Sequence, residues 1–359
     1  MNKYLKRTIV SLSIIVPSLV ITYFVGGLIA FSIIDPTILG KRGSSLSDLD
    51  TLTYRVFKTR NDFPSLANRE EYTFRVGDYT LYGYLYETPS PKGLVVTAHG
   101  VNSLAESDHA IYHDYFLNEG FDVFVIDMVG CGKSEGIMGN LYRSKECVEN
   151  ALDKISHIDK LNGLPICLFG HSWGAYGVVT STYTHQNVKA VASVSGYELP
   201  SEMMYDLAIQ YSSPALAFTK PTFLLGCATH YGNDLFVSAS EAIISNPSIP
   251  YFITHGEFDK TVDFNNCSQY QAMQNKPNDN VTFYLMENMA HNAPWRSIEA
   301  HDYYETNLKP KIRDLEKQYG ENIPNQEIEQ LVSEVDFEKS SEANIDLLSR
   351  ITSFYLTNI

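Results

Sequence analysis

The chain is poor in cysteine and in positive charge, and each shortage closes off a class of function. Its five cysteines, Cys131, Cys147, Cys167, Cys227 and Cys267, are widely spaced, odd in number and without a C-x-x-C pair, so neither a disulfide framework nor a metal site is indicated. Lys and Arg total 27 against 42 Asp and Glu, a formal net charge of -15 that argues against nucleic acid or an anionic lipid surface as the main partner. A phosphate-binding loop is missing too. The segment Gly132-Lys133-Ser134 suggests one, but the first glycine of G-x-x-x-x-G-K-[ST] would fall on Asp127.

Charge is absent from residues 9–34, which are almost continuously apolar until Asp35. At about 1.5 Å per residue such a helix reaches roughly 39 Å, enough to cross a hydrocarbon core of about 30 Å with tilt. A cleaved signal peptide has a shorter apolar region, of about 7–15 residues, and no clean A-x-A site is found here. The expectation is a retained single-pass anchor in the cell membrane. Lys3, Lys6, Arg7 and the terminal amine precede the apolar stretch and Lys41 and Arg42 follow it, a bias that favours an N-terminus in the cytoplasm and the bulk of the chain on the extracytoplasmic side.

Residues 35–70 are polar and broken by glycine and proline, and read as a linker. At 71 a β-hairpin begins, Tyr72–Val76 and Tyr79–Tyr86 alternating around Gly77-Asp78. Short apolar strand candidates follow at 93–98, 122–127, 165–169, 188–194, 250–254 and 281–286, with helical stretches between most of them. That alternation predicts an α/β fold, a mostly parallel sheet with helices on both faces, whose chemistry belongs at the carboxyl ends of the strands.

Those ends carry reactive residues. After 165–169 comes Gly170-His171-Ser172-Trp173-Gly174, the G-x-S-x-G pattern of a nucleophile elbow; a serine lifted on so sharp a turn leaves no room for a Cβ two residues to either side. After the first core strand, His99-Gly100-Val101 offers backbone N–H groups, and those of Val101 and Trp173 are the candidate oxyanion hole. His99 itself reads as a structural brace. After 250–254, Glu257, Asp259 and Asp263 compete to orient a histidine; Asp259 is preferred. After 281–286 stands His291, a base that must be neutral to take the serine proton. The order serine, acid, histidine is that of the α/β-hydrolase triad.

From about Tyr79 onward the chain resembles the α/β-hydrolase superfamily, specifically bacterial serine hydrolases grouped near monoacylglycerol lipases and serine aminopeptidases. The resemblance rests on Ala98-His99-Gly100, Asp127 with the loop 130–136, the elbow, His255-Gly256-Glu257-Phe258-Asp259 and Ala290-His291. One departure is Val129, where relatives often carry arginine. The resemblance implies catalytic Ser172, Asp259 and His291, an oxyanion hole at Val101 and Trp173, and no cofactor or metal. The α/β-hydrolase domain is expected over 71–359, following an anchor at 1–34 and a linker at 35–70. A helical lid insertion is expected at about 197–248, where aromatic residues from Tyr197 to Phe236 suit an apolar acyl or aromatic substrate or pack the helices onto the body. The expected activity is hydrolysis of an ester, thioester or amide through an acyl-enzyme, carboxylesterase- or lipase-like. A serine aminopeptidase, with Glu198, Glu202 or Asp206 holding a free amino group of a peptide, and a silent binding protein of the same fold are the alternatives.

Overall fold

Strand formation follows the β-branched and aromatic runs. In the computed structural model eight strands form one sheet, β1 (Glu70–Val76), β2 (Tyr79–Tyr86), β3 (Leu94–Ala98), β4 (Asp122–Asp127), β5 (Ile166–His171), β6 (Ala190–Val194), β7 (Tyr251–Gly256) and β8 (Val281–Met286), in the order β1-β2-β4-β3-β5-β6-β7-β8. The structure describes residues 3–34, 40–46, 51–107, 109–211, 218–276, 279–320 and 322–359, and in the first helix the side chains of 13–29, 31 and 32 only. The hairpin β1–β2 is antiparallel and β2 pairs antiparallel with β4; the remaining pairs are parallel. The expected mostly parallel sheet is the one observed, with helices covering both faces.

The two-residue period of the strands divides the core. Leu94, Val96 and Ala98 of β3 and Leu168 of β5 face a cluster that includes Cys147, Val148 and Leu152 of helix Arg143–Ile155 and Tyr176 and Val179 of helix Trp173–Thr180. Val95, Cys167 and Phe169 face the other side, where Ile111 and Phe116 of helix Ala110–Asn118 meet Leu348, Ile351 and Tyr355 of the closing helix Ile345–Asn358. Tyr355 also donates its hydroxyl to the Leu168 carbonyl, 2.7 Å away, fixing the chain's end on a central strand. All five cysteines are buried.

Segments read as linker pack on this body. The Arg42 guanidinium donates to the carbonyls of Gly132 (2.6 Å) and Ser134 (2.8 Å), and Leu52, Val56 and Phe57 form a small core with Leu308, Ile312 and Leu331. Residues 35–39 and 47–50 lie outside the described residues, as do 212–217 of the lid. The chain begins with helix Lys3–Ile34. Among the described residues no helix is long and apolar enough to cross a membrane. The expected span 9–34 falls partly outside them, for side chains are described without a break only over 13–29.

Asp127, at the end of β4, ties down the loop that follows. Its carboxylate accepts from the Lys133 backbone N–H (2.9 Å) and the Tyr84 hydroxyl (2.7 Å), and a Cβ on Gly132 would fall 2.2 Å from it. Burial raises its pKa to about 6 despite those bonds. Folded chain then holds this proton more tightly than unfolded chain, so the contribution is full below about pH 4 and is lost as pH rises through about 6. Asp127→Asn, which keeps an acceptor and cannot ionise, should therefore gain stability relative to the parent between pH 4 and 7, by on the order of 3 kcal/mol. Denaturant midpoints across that range measure it; parallel curves for the two proteins would refute the assignment.

Candidate active site

Ser172 sits between β5 and helix Trp173–Thr180 with φ 55° and ψ -114°, a conformation rare for any residue but glycine. The glycines around it explain how that turn closes. A Cβ on Gly170 would lie 2.4 Å from the Gly174 carbonyl oxygen, as the steric argument requires. Gly174 answers to a different neighbour: a Cβ there would lie 2.0 Å from the carbonyl oxygen of Ala98, on β3. The elbow helix is thus seated directly on the adjacent strand.

The structure brings Ser172, His291 and Asp259 together. His291 Nε2 lies 2.9 Å from Ser172 Oγ, and His291 Nδ1 lies 2.7 Å from Asp259 Oδ2. All three are buried to within a few per cent, with the serine 8 % and the histidine 7 % exposed, so both remain reachable from the pocket. Of the competing acids, Glu257 reaches the Asn288 N–H and Asp263 caps its own turn through the N–H groups of Asn265 and Asn266. Asp259 is held from behind, its Oδ1 accepting from the N–H groups of Thr261 (3.0 Å) and Val262 (2.9 Å). Burial opposes its charge, but the hydrogen bonds from His255 and His291 outweigh that and keep the carboxyl well below the usual carboxylate range. An ionised carboxylate here fixes the proton of His291 on Nδ1 and leaves Nε2 free to accept the serine proton.

Two further histidines escaped the sequence reading. His255 Nε2 stands 3.1 Å from Asp259 Oδ2 and 2.9 Å from the Val262 carbonyl. A signal existed, since a His-Gly pair ends β7 at His255-Gly256 just as His99-Gly100 comes directly after β3. His171, inside the elbow motif, donates from Nε2 to the His291 carbonyl at 3.0 Å and so braces the histidine's own loop. Burial, with the nearby rings of His291 and His109, pushes its pKa well below the ordinary histidine range, which makes it a neutral donor. His99 braces as expected, accepting from the Met128 N–H at 3.1 Å. His301 bonds the Ala293 carbonyl instead of approaching the serine.

Gly100 brings the loop after β3 against the serine: a Cβ on it would lie 3.3 Å from the Ser172 Cβ. Val101 and Trp173 both line the cavity that opens at Ser172, of about 210 Å³, together with Leu141, Tyr197, Met203 and Leu207. Its wall is set by one carbonyl, that of Leu141, which accepts from both the Trp173 indole (2.9 Å) and the Tyr197 hydroxyl (2.7 Å). A wider depression near Lys189, Asn280 and Arg350 lies at the opposite end of the strands and contains none of these groups. Among the described residues no cluster of His, Cys, Asp and Glu could hold a metal ion.

Residues 89–243 match the family model described as serine aminopeptidase, S33. Among solved structures, the esterase Pf2001 of Pyrococcus furiosus is similar over 70 % of this chain and 90 % of its own, at 16 % identity and a TM-score of 0.50. DcsB, solved in complex with its substrate analogue, is similar over 81 % of this chain and 99 % of its own, at 13 % identity and a TM-score of 0.51. No curated protein matches the chain. Over residues 89–243 the chain matches a hydrolase family model, and its fold is that of the α/β hydrolases.

Gly174→Ala should lower stability by about 1–3 kcal/mol, because the Ala98 backbone at the clash cannot retreat without disturbing the sheet. Urea unfolding measures this; a midpoint equal to the parent's would mean that the seat on β3 is not tight.

Proposed function

We propose that the chain is a serine hydrolase that cleaves carboxylic esters through an acyl-enzyme, with Ser172 as nucleophile, His291 as base and Asp259 as the acid that orients it. The observation that carries this reading is the continuous hydrogen-bonded path from Ser172 Oγ through the His291 ring to Asp259. Ser172 Oγ attacks the carbonyl carbon as its proton passes to His291 Nε2. The negative oxygen is received by the N–H groups of Val101 and Trp173. His291 returns the proton to the departing alcohol as the carbon–oxygen bond breaks, and water, deprotonated by the same ring, then releases the acid.

Esters are favoured over aminoacyl substrates by the fate of three acids. Glu198 accepts from the Ser240 N–H and from the Ser240 and Ser238 hydroxyls, which pins the start of helix Ala239–Ser245. Glu202 is paired with Lys220. Neither of them, nor Asp206, lines the cavity, and among the described residues no carboxylate lines it to hold a free amino group. The apolar lining suits an acyl chain. The uncharged helical stretch 9–34 is read as a retained membrane anchor, with the hydrolase domain on the extracytoplasmic side.

A fluorophosphonate probe should label the parent protein and leave Ser172→Ala unlabelled; labelling of that variant defeats the nucleophile assignment. Asp259→Asn should lower kcat on a soluble ester by about 10⁴-fold, with KM little changed, because the wrong tautomer of His291 is then favoured. Steady-state kinetics decide this, and a loss confined to KM would count against the role given to Asp259.

A further inference from the structure

The first helix does not stand apart from the enzyme. Along one of its faces Tyr23, Gly27 and Phe31, four residues apart, meet the lid helix Lys220–Tyr231. Thr222 places its hydroxyl 3.1 Å from the Tyr23 carbonyl. Gly27 is buried at the crossing, and a Cβ on it would lie 1.9 Å from Thr222 Oγ1 and 2.8 Å from the Phe223 nitrogen. In return a Cβ on Gly226 would lie 3.2 Å from the Phe31 ring, which packs against Phe223, His230 and Tyr231 at centroid distances of 6.0, 5.7 and 6.1 Å. Small residues on both helices let their backbones approach, as at helix crossings in membranes.

The contact continues to the pocket. Phe223 meets Tyr205 of the second lid helix, Pro200–Tyr211, at 5.4 Å, and Met203 and Leu207 of that helix line the cavity at Ser172. The first helix also touches helix Pro200–Tyr211 directly, so that helix alone stands between it and the cavity at Ser172.

The outer surface of this assembly is apolar. Ile21, Phe24, Val25 and Leu28 on the first helix are each about half exposed, and so are Phe218 and Leu225 of the lid, at 54 % and 53 %. Phe218 touches Tyr23, ring to ring at 6.1 Å, so the lid's exposed edge adjoins the helix surface. The one Lys or Arg of the lid helix, Lys220, is paired with Glu202. From Tyr23 to Ile34 the first helix rises about 16 Å, roughly half of a 30 Å hydrocarbon core. A lid helix fastened along that length shares its depth.

We propose that the lid helix Lys220–Tyr231 is a leaflet-contact surface: docked on the first helix at Gly27, it lies in the half of the bilayer next to the hydrolase domain, its exposed edge at Phe218 and Leu225 is covered by lipid acyl chains, and the pocket is loaded from that leaflet. This rests on the reading of the first helix as a membrane anchor. The occupant is the apolar interior of a neutral bilayer, in keeping with a net charge of -15, and not an anionic headgroup surface.

The full-length chain in vesicles of zwitterionic phosphatidylcholine tests it. Both native tryptophans, Trp173 and Trp295, are fully buried, so Leu225→Trp reports on the lid alone. Phosphatidylcholine brominated on its acyl chains should quench the added emission strongly, and Gly27→Leu in the same background should remove that quenching. Phe218→Glu with Leu225→Glu, a change confined to the exposed edge, should slow hydrolysis of a long-chain ester held in the vesicle about tenfold and leave a short, water-soluble ester within about twofold of the parent. Absence of quenching in protein that floats with the vesicles overturns the proposal, and cross-linking into dimers in that case assigns the edge to a second copy. Equal loss on both esters likewise overturns it. Protein that does not float overturns the anchor reading and this inference with it, while fluorophosphonate labelling of the same sample reports separately on Ser172.

Discussion

The contact on which this structure depends is the seat of Gly174 on the carbonyl of Ala98. It brings the first turn of helix Trp173–Thr180 to the end of β3 and sets the loop at Gly100 against Ser172. The strained conformation of Ser172 costs on the order of 1–3 kcal/mol. Burial of Trp173, Tyr176, Val178 and Val179 on the same short helix offsets it, since each such side chain contributes about 1.5–3 kcal/mol when taken from water. Strain at Ser172 is therefore maintained by packing immediately behind it.

The polar groups around that seat are satisfied in a graded way. Asp259 has two backbone N–H donors and two imidazoles, so its charge is compensated although it is buried. His171 and His99 serve by bonding main chain, each fixing a loop that carries another functional group. Burial makes such fixed dipoles more effective than they would be in water, and leaves the serine and His291 as the pair open to the pocket.

Packing also joins parts of the chain that look separable. The segment after the first helix bonds the loop of Gly132 and Ser134, and the first helix itself packs on the lid, whose second helix walls the cavity. The lid helices therefore rest on the first helix as well as on the core of the body.

The strands, the hairpin and the strand-to-helix turn at Ser172 were legible in the sequence because each rests on a local rule: alternation, an apolar run, or a glycine where a Cβ cannot fit. The sheet expected from those runs is the one found, with boundaries shifted by a residue or two. Choices among near-equivalent residues were not legible. Glu257, Asp259 and Asp263 lie within one loop, and only the fold shows that the first reaches Asn288, the last caps a turn and the middle one meets His291. Glu198 was a candidate to hold an amine, and only the fold brings Ser238 and Ser240 to it, so that it pins a helix instead. His255, His171 and the pairing of Gly27 with Thr222 arise from contacts between residues far apart in sequence, where the residue type alone carries almost no information about the partner. The sequence by itself determined which strands and turns form, because their physics is local; which side chains share a proton, and which helix the lid rests on, only the tertiary structure decided, because those depend on distances that the chain acquires on folding.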